Sequence, residues 1–178
     1  MRTDTEGKIR PAYQVAFTGM LFALSMALAF LEGLLPTVAF LPPGVKLGLS
    51  NIITMYALFC VGKKRALLIA VLKSIFVHLT RGTVAGILSL SGGILSVAVM
   101  VGVSVILKEK VSYLTVSILG AVFHNIGQLV AASFLLQTEM VLYYLPVLIL
   151  SGIGMGLITG LTVRVVMPVL NRLQNKIR

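Results

Sequence analysis

Long apolar runs alternate along this chain with short charged clusters, and most of the runs are long enough to cross a bilayer. Six runs are predicted as membrane-spanning helices. The first, Pro11 to Leu31, exceeds the h-region of a signal peptide and has no A-x-A cleavage site before its end, so it is expected to remain as a span. Pro36, Pro42, Pro43 and Gly44 mark a non-helical connection, FLPPGVK, ahead of a second span from Leu47 to Val61, which GKKR at 62–65 closes. A third covers Ala66 to Thr80. The fourth, Thr83 to Leu107, is interrupted by SLSGG at 89–93 and ended by KEK at 108–110. The fifth covers Ser112 to Leu136 and the sixth Val141 to Leu170. Spans two and three are short at about 15–16 residues, as tilted or partly shielded helices would be.

The expected architecture is an all-α, six-helix transmembrane bundle over residues 11–170, between a polar tail at 1–10 and a basic tail at 171–178. Six spans put both termini on one side. Composition agrees: 58% of the 178 residues are hydrophobic before the 17 glycines are added, and 11% are charged, against roughly a quarter in soluble domains. A water-soluble globule is excluded. The formal charge of +10 would suggest nucleic acid in a soluble protein, but here it reports topology, because Lys and Arg collect in cytoplasmic loops. With the N-terminus inside, twelve of the fifteen cations fall at the cytoplasmic side, and Lys46, Lys73 and Arg81 remain unexplained. The expected setting is a prokaryotic plasma membrane, with both termini cytoplasmic and no nucleic-acid partner.

Those three cations are the first candidates for chemistry. Lys73 lies eight residues beyond Arg65, about 12 Å along a helix, and so inside the hydrocarbon. A lysine there costs about 2.5–3.5 kcal/mol on translocon scales and normally faces the bundle interior with a partner or a task. Lys73, Ser74, His78 and Arg81 fall within about 140° on the helical wheel, one polar stripe. Lys73 would alternatively snorkel, or pair with Glu32 as a structural bridge. Span five has a matching stripe: Ser117, Ala121, His124, Asn125 and Gln128 lie within about 100° of arc, and lipid cannot satisfy their hydrogen bonds. Such groups either line a binding site or tie helices together. Asn51 and Thr54 on span two could line the same cavity, although Ser50 or Asn51 would equally cap that helix. A slight cationic excess in a low-dielectric cavity favours an anionic ligand such as a carboxylate or phosphate.

Small residues recur at four-residue spacing. Ala12, Ala16, Gly19, Ala23 and Ala27 give span one a smooth face, and Gly152, Gly156 and Gly160 do so for span six. Such faces pack helices closely or dock a larger membrane partner. Other chemistries are poorly served. Cys60 is the single cysteine, so neither an internal disulfide nor a thiolate cluster site can form. His78 and His124 lack acidic or thiolate companions for a metal site, and none is expected. There is no G-x-x-x-x-G-K-[ST], so ATP-driven work needs another subunit. The single aspartate, Asp4, cannot supply the carboxylates that hold magnesium when an allylic diphosphate is ionised. An enzyme is not expected, and no cofactor is called for.

Four segments, PPGVKLGLSNIITMYAL (42–58), SLSGGILSVAVM (89–100), LGAVFHNIGQLVAA (119–132) and YYLPVLILSGIGMGLITGL (143–161), together resemble the Gx transporter family. That family is also labelled heptaprenyl diphosphate synthase component I and is similar to the substrate-binding S components of energy-coupling factor transporters. PGVKLGL-N and GA-HN-GQ are the most specific parts of the match. The resemblance implies an S-component-like bundle that binds a small anionic or vitamin-like compound near the outer side, under the loop joining spans one and two. Lys46, Asn51, Lys73, Arg81, His124, Asn125 and Gln128 would then line the site. The face of Ala12, Ala16, Gly19 and Ala23 would contact a transmembrane coupling subunit that works with two ATPases. Relatives associated with flavin- or quinone-linked electron transfer leave open a non-catalytic accessory role in isoprenoid, quinone or extracellular electron-transfer metabolism.

Overall fold

A computed structural model describes residues 4–34, 49–107 and 112–176, with side chains described within 14–34, 50–106 and 112–168. Six helices follow one another: α1 (Asp4–Leu34), α2 (Leu49–Tyr56), α3 (Lys63–Arg81), α4 (Thr83–Leu107), α5 (Tyr113–Leu136) and α6 (Leu145–Lys176). A π-helical turn, Ala57–Val61, extends α2, and a short 3-10 helix, Glu139–Tyr144, precedes α6. Each helix lies where an apolar run predicted one. The ends differ at α1, which starts at Asp4 inside the polar tail, and at α6, which continues into the basic tail as far as Lys176.

Four helices are long and apolar enough to cross a bilayer by themselves, over Gln14–Leu34, Thr83–Ile106, Tyr113–Leu136 and Glu139–Pro168. The protein is a multi-pass membrane protein. The other two helices depart from that standard for different physical reasons. α2 has eight residues and its π turn five, together roughly 20 Å of rise against a hydrocarbon thickness of about 30 Å. α3 is long enough at 19 residues but carries Lys63, Lys64, Arg65, Lys73 and Arg81. Its buried side, which includes Ala66, Ile69, Ala70, Lys73, Ser74 and Val77, is covered by neighbouring helices rather than by lipid.

The links on either side of α3 are single residues. Gly62, at φ +127°, ends the π turn by donating its N–H to the Ala57 carbonyl (2.8 Å). Gly82, at φ +89°, donates to the His78 carbonyl (3.0 Å) and opens α4. Both lie in the left-handed half of backbone space, where a Cβ is strained, and so these sharp reversals fall on glycine.

Successive helices alternate in direction. Phe17 of α1 meets Tyr56 of α2 edge to face at 6.4 Å, Arg65 of α3 donates to the Gln14 side chain, and Cys60 contacts Met167 at 3.0 Å. All of these contacts lie at the end of the bundle where α1 begins and α6 finishes. The apolar core occupies that end as well, through Phe17, Leu21, Met55, Tyr56, Ile69, Val97, Val116, Val163 and their neighbours. The glycines of α6 press against α5: a Cβ on Gly152 would meet Val122, one on Gly156 would fall on Ile118, and one on Gly160 would meet Leu114. The glycine stripe of span six is therefore an internal packing face. Polar residues collect in the middle and at the opposite, distal end.

Candidate functional site

Lys73 is 3% exposed, just past the middle of α3 on the way to the polar end of the bundle. Its ammonium donates to Asn51 Oδ1 at 2.8 Å and to Ser50 Oγ at 3.3 Å, both on the first turn of α2. Hydrogen bonds of this charge-assisted kind contribute about 1.5–3 kcal/mol each and offset part of the cost of drying a cation. Asn51 and Ser50 therefore receive a donor from across the bundle. Arg81, at the end of α3, reaches the last turns of α1 and donates to the Ala29 carbonyl at 2.6 Å. A cation is favoured there by the helix dipole of α1. Gly33 permits it, because a Cβ at that position would fall on the guanidinium.

These side chains line a distal cleft with Glu32 of α1, Ser89 of α4, and His124 and Gln128 of α5. α4 and α5 approach closely enough to place the last two because both carry glycine at the crossing. A Cβ on Gly92 would meet His124 O at 2.7 Å and Gln128 Cγ at 2.8 Å, and one on Gly127 would meet Ser91 O at 2.9 Å. SLSGG and HNIGQ thus act together: the glycines bring the backbones into contact and leave the imidazole and amide directed to the cleft.

A second, central cleft lies nearer the apolar core, lined by Asn51 and Met55 of α2, Ser96 and Met100 of α4, Ser117, Ala121, His124 and Asn125 of α5, and Met155 and Thr159 of α6. Asn51 and His124 line both clefts and form the partition between them. With their open mouths the two contain about 430 and 400 Å3 of space unfilled by atoms. They are narrow, with room along them for water-sized molecules, so a larger ligand requires the helices or side chains to part.

Five of the seven residues expected at the site, Asn51, Lys73, Arg81, His124 and Gln128, line the distal cleft, and Asn125 lines the central one. Lys46 lies outside the described residues. Asn125 also ties helices together: its Nδ2 donates to Leu148 O (2.9 Å) and Ser151 Oγ (3.5 Å) on α6. The stripe predicted on α3 divides. Ser74 turns its hydroxyl back to Val71 O at 2.6 Å, and His78 is exposed at the α3–α4 reversal, beside Gly86. Thr54 is buried and lines neither cleft. Ser50, expected only as a helix cap, belongs to the walls with Ser89, Ser96 and Thr159, which carried no signal in the sequence beyond a hydroxyl in an apolar run. Glu32 was legible only as a possible partner for Lys73. Among the described residues no group of three or more His, Cys, Asp or Glu could hold a metal ion.

On α1, Ala16, Gly19 and Ala23 are exposed, and a Cβ on Gly19 would meet nothing. The side chain of Ala12 lies outside those described.

A solved structure described as the S component of a bacterial ECF transporter has the same fold, with a TM-score of 0.61 and 23% identity over 94% of this chain and 99% of the other. No curated protein matches the chain. The family model described as heptaprenyl diphosphate synthase component I matches residues 21–166, which reach into all six helices. The chain therefore belongs to the heptaprenyl diphosphate synthase component I family, on an S-component-like fold.

Proposed function

We propose that the protein is the membrane-embedded substrate-binding subunit of an energy-coupling-factor-type transporter for a small, anionic or vitamin-like compound. The observation that carries this reading is Lys73: a cation buried in the bundle, hydrogen-bonded to Asn51 and Ser50, in a cleft that also holds Arg81, His124 and Gln128. With Lys73 and Arg81 against Glu32, that cleft has a net positive charge among the described residues, and it is walled by low-dielectric protein. An anion entering it gains charge-assisted hydrogen bonds that water would otherwise weaken. Six helices crossing the membrane with both termini in the cytoplasm would place the Lys- and Arg-rich ends inside and the distal cleft towards the exterior. The small-residue face of α1, exposed at Ala16, Gly19 and Ala23 and continued in the sequence by Ala12, would receive a transmembrane coupling subunit, and its ATPases would drive reorientation and release.

The family description favours a second reading, a non-catalytic membrane subunit in isoprenoid, quinone or flavin-linked electron-transfer metabolism. Catalysis of prenyl transfer fits the residues poorly. Ionising an allylic diphosphate requires magnesium on several carboxylates, and among the described residues Glu32 is the one acidic side chain lining the two clefts.

Affinity purification from native membranes distinguishes the two. Transport predicts ATPase and coupling subunits in the eluate and a small molecule, identifiable by mass spectrometry, that Lys73→Ala with Gln128→Ala releases. Recovery of a prenyltransferase or reductase in their place, with no retained compound, would overturn it.

A further inference from the structure

We infer that the central cleft is the second half of one ligand site and takes a flat ring bearing a carbonyl or ring nitrogen, in a molecule whose anionic group sits in the distal cleft. The inference rests on the substrate-binding reading above and adds the class of substrate. The two clefts adjoin through Asn51 and His124, yet their walls differ in kind. Among the described residues, the charged side chains that line the clefts, Glu32, Lys73 and Arg81, all belong to the distal one, and none lines the central one. Met55, Met100 and Met155 reach the central cleft from three different helices. Thioethers pack favourably on aromatic rings, and their unbranched chains adjust to a flat surface, so these walls can part around a ring without breaking a polar contact.

Ser117 supplies the polar contact. It is 3% exposed and lines the central cleft, and its hydroxyl has no partner among the described residues. Hydroxyls on these helices often return to a carbonyl three or four residues earlier, as Thr18 does to Gln14, Ser91 to Leu88 and Ser104 to Met100; of the buried hydroxyls of Ser25, Thr54 and Ser117 that have no partner among the described residues, that of Ser117 lines a cleft. A buried donor without an acceptor is costly, and a carbonyl oxygen or ring nitrogen at the edge of a bound ring would satisfy it. Ser117 and His124 are seven residues apart on α5, about 10 Å of helix, which sets the spacing between ring and anionic group.

The test uses protein in nanodiscs and isothermal titration with two probes, anthraquinone-2-carboxylate, which has both parts, and cyclohexanecarboxylate, which has the anion without a flat ring. Empty nanodiscs are subtracted. The ring-bearing probe is expected to bind at least about tenfold more tightly. Ser117→Ala should weaken it by about tenfold, the loss of one buried hydrogen bond, and leave cyclohexanecarboxylate unchanged. Met155→Leu, which keeps the volume and removes the sulfur, should narrow the gap between the probes. Lys73→Met should weaken both. Equal, Lys73-dependent binding of the two probes, or a Ser117→Ala effect common to both, overturns the ring subsite and leaves the binding reading standing. Absence of binding, or binding indifferent to Lys73, overturns both.

Discussion

Replacing Lys73 by methionine separates a binding residue from a structural one. The side chain is 3% exposed and holds Asn51 Oδ1 at 2.8 Å and Ser50 Oγ at 3.3 Å. Methionine fills nearly the same volume and removes the charge. For the fold, two hydrogen bonds are lost, at about 1.5–3 kcal/mol each, but the cost of holding a cation out of water, several kcal/mol, disappears with them. These terms oppose each other, but Asn51 Oδ1 and Ser50 Oγ lose their donor, so a net loss of about 1–3 kcal/mol is expected. For an anionic ligand there is no such compensation. Losing one charge-assisted hydrogen bond of about 1.5–3 kcal/mol weakens binding by roughly 10- to 150-fold. Stability can be followed with a thiol-reactive dye, because Cys60 is the single cysteine and is half-buried. Binding is measured on the same sample as retention of the co-purified compound. A large fall in the unfolding temperature with ligand retention intact would show that Lys73 is a helix tie and refute its role in recognition.

Three further substitutions test the geometry. Gly156→Ala places a methyl on the Ile118 backbone and forces α5 and α6 apart, so a loss of about 1–3 kcal/mol is expected in the same dye assay; an unchanged unfolding temperature would contradict the close crossing. Gly82→Ala has open space around its Cβ but sits at φ +89°, so its cost of about 1–2 kcal/mol is backbone strain alone, measurable as a matching shift in thermal unfolding. Gly19→Leu, where a Cβ meets nothing, should leave the isolated protein as stable as before while preventing co-purification of a coupling subunit; normal recovery of that subunit would move the docking face elsewhere.

The sequence made the six helices legible because lipid permits few alternatives: a long apolar run must satisfy its backbone internally, and a helix is how it does so. It also made Lys73, His124 and Gln128 legible, since an ionisable or amide side chain within such a run has to face other protein. What it obscured follows from the same physics. Ser89, Ser96 and Thr159 are ordinary in membrane helices, where a hydroxyl can bond its own backbone, so their place in the clefts depends on which face each helix turns inward. The methionines of the central cleft look like core filling. The wheel placed His78 with Lys73, but α3 ends three residues later, and the reversal at Gly82 leaves the imidazole at the surface. Angular position alone could not show where the neighbouring helix stops.

The one-residue joints at Gly62 and Gly82 leave α3 no slack with which to slide along its axis, since any travel would drag its neighbours with it. Swivelling is the freedom left to it. Lys73 and Arg81 are eight residues apart, about 80° around the cylinder, so they turn together like two arms of a crank. A turn of α3 that drew the ammonium away from Asn51 would therefore also shift the guanidinium against the end of α1.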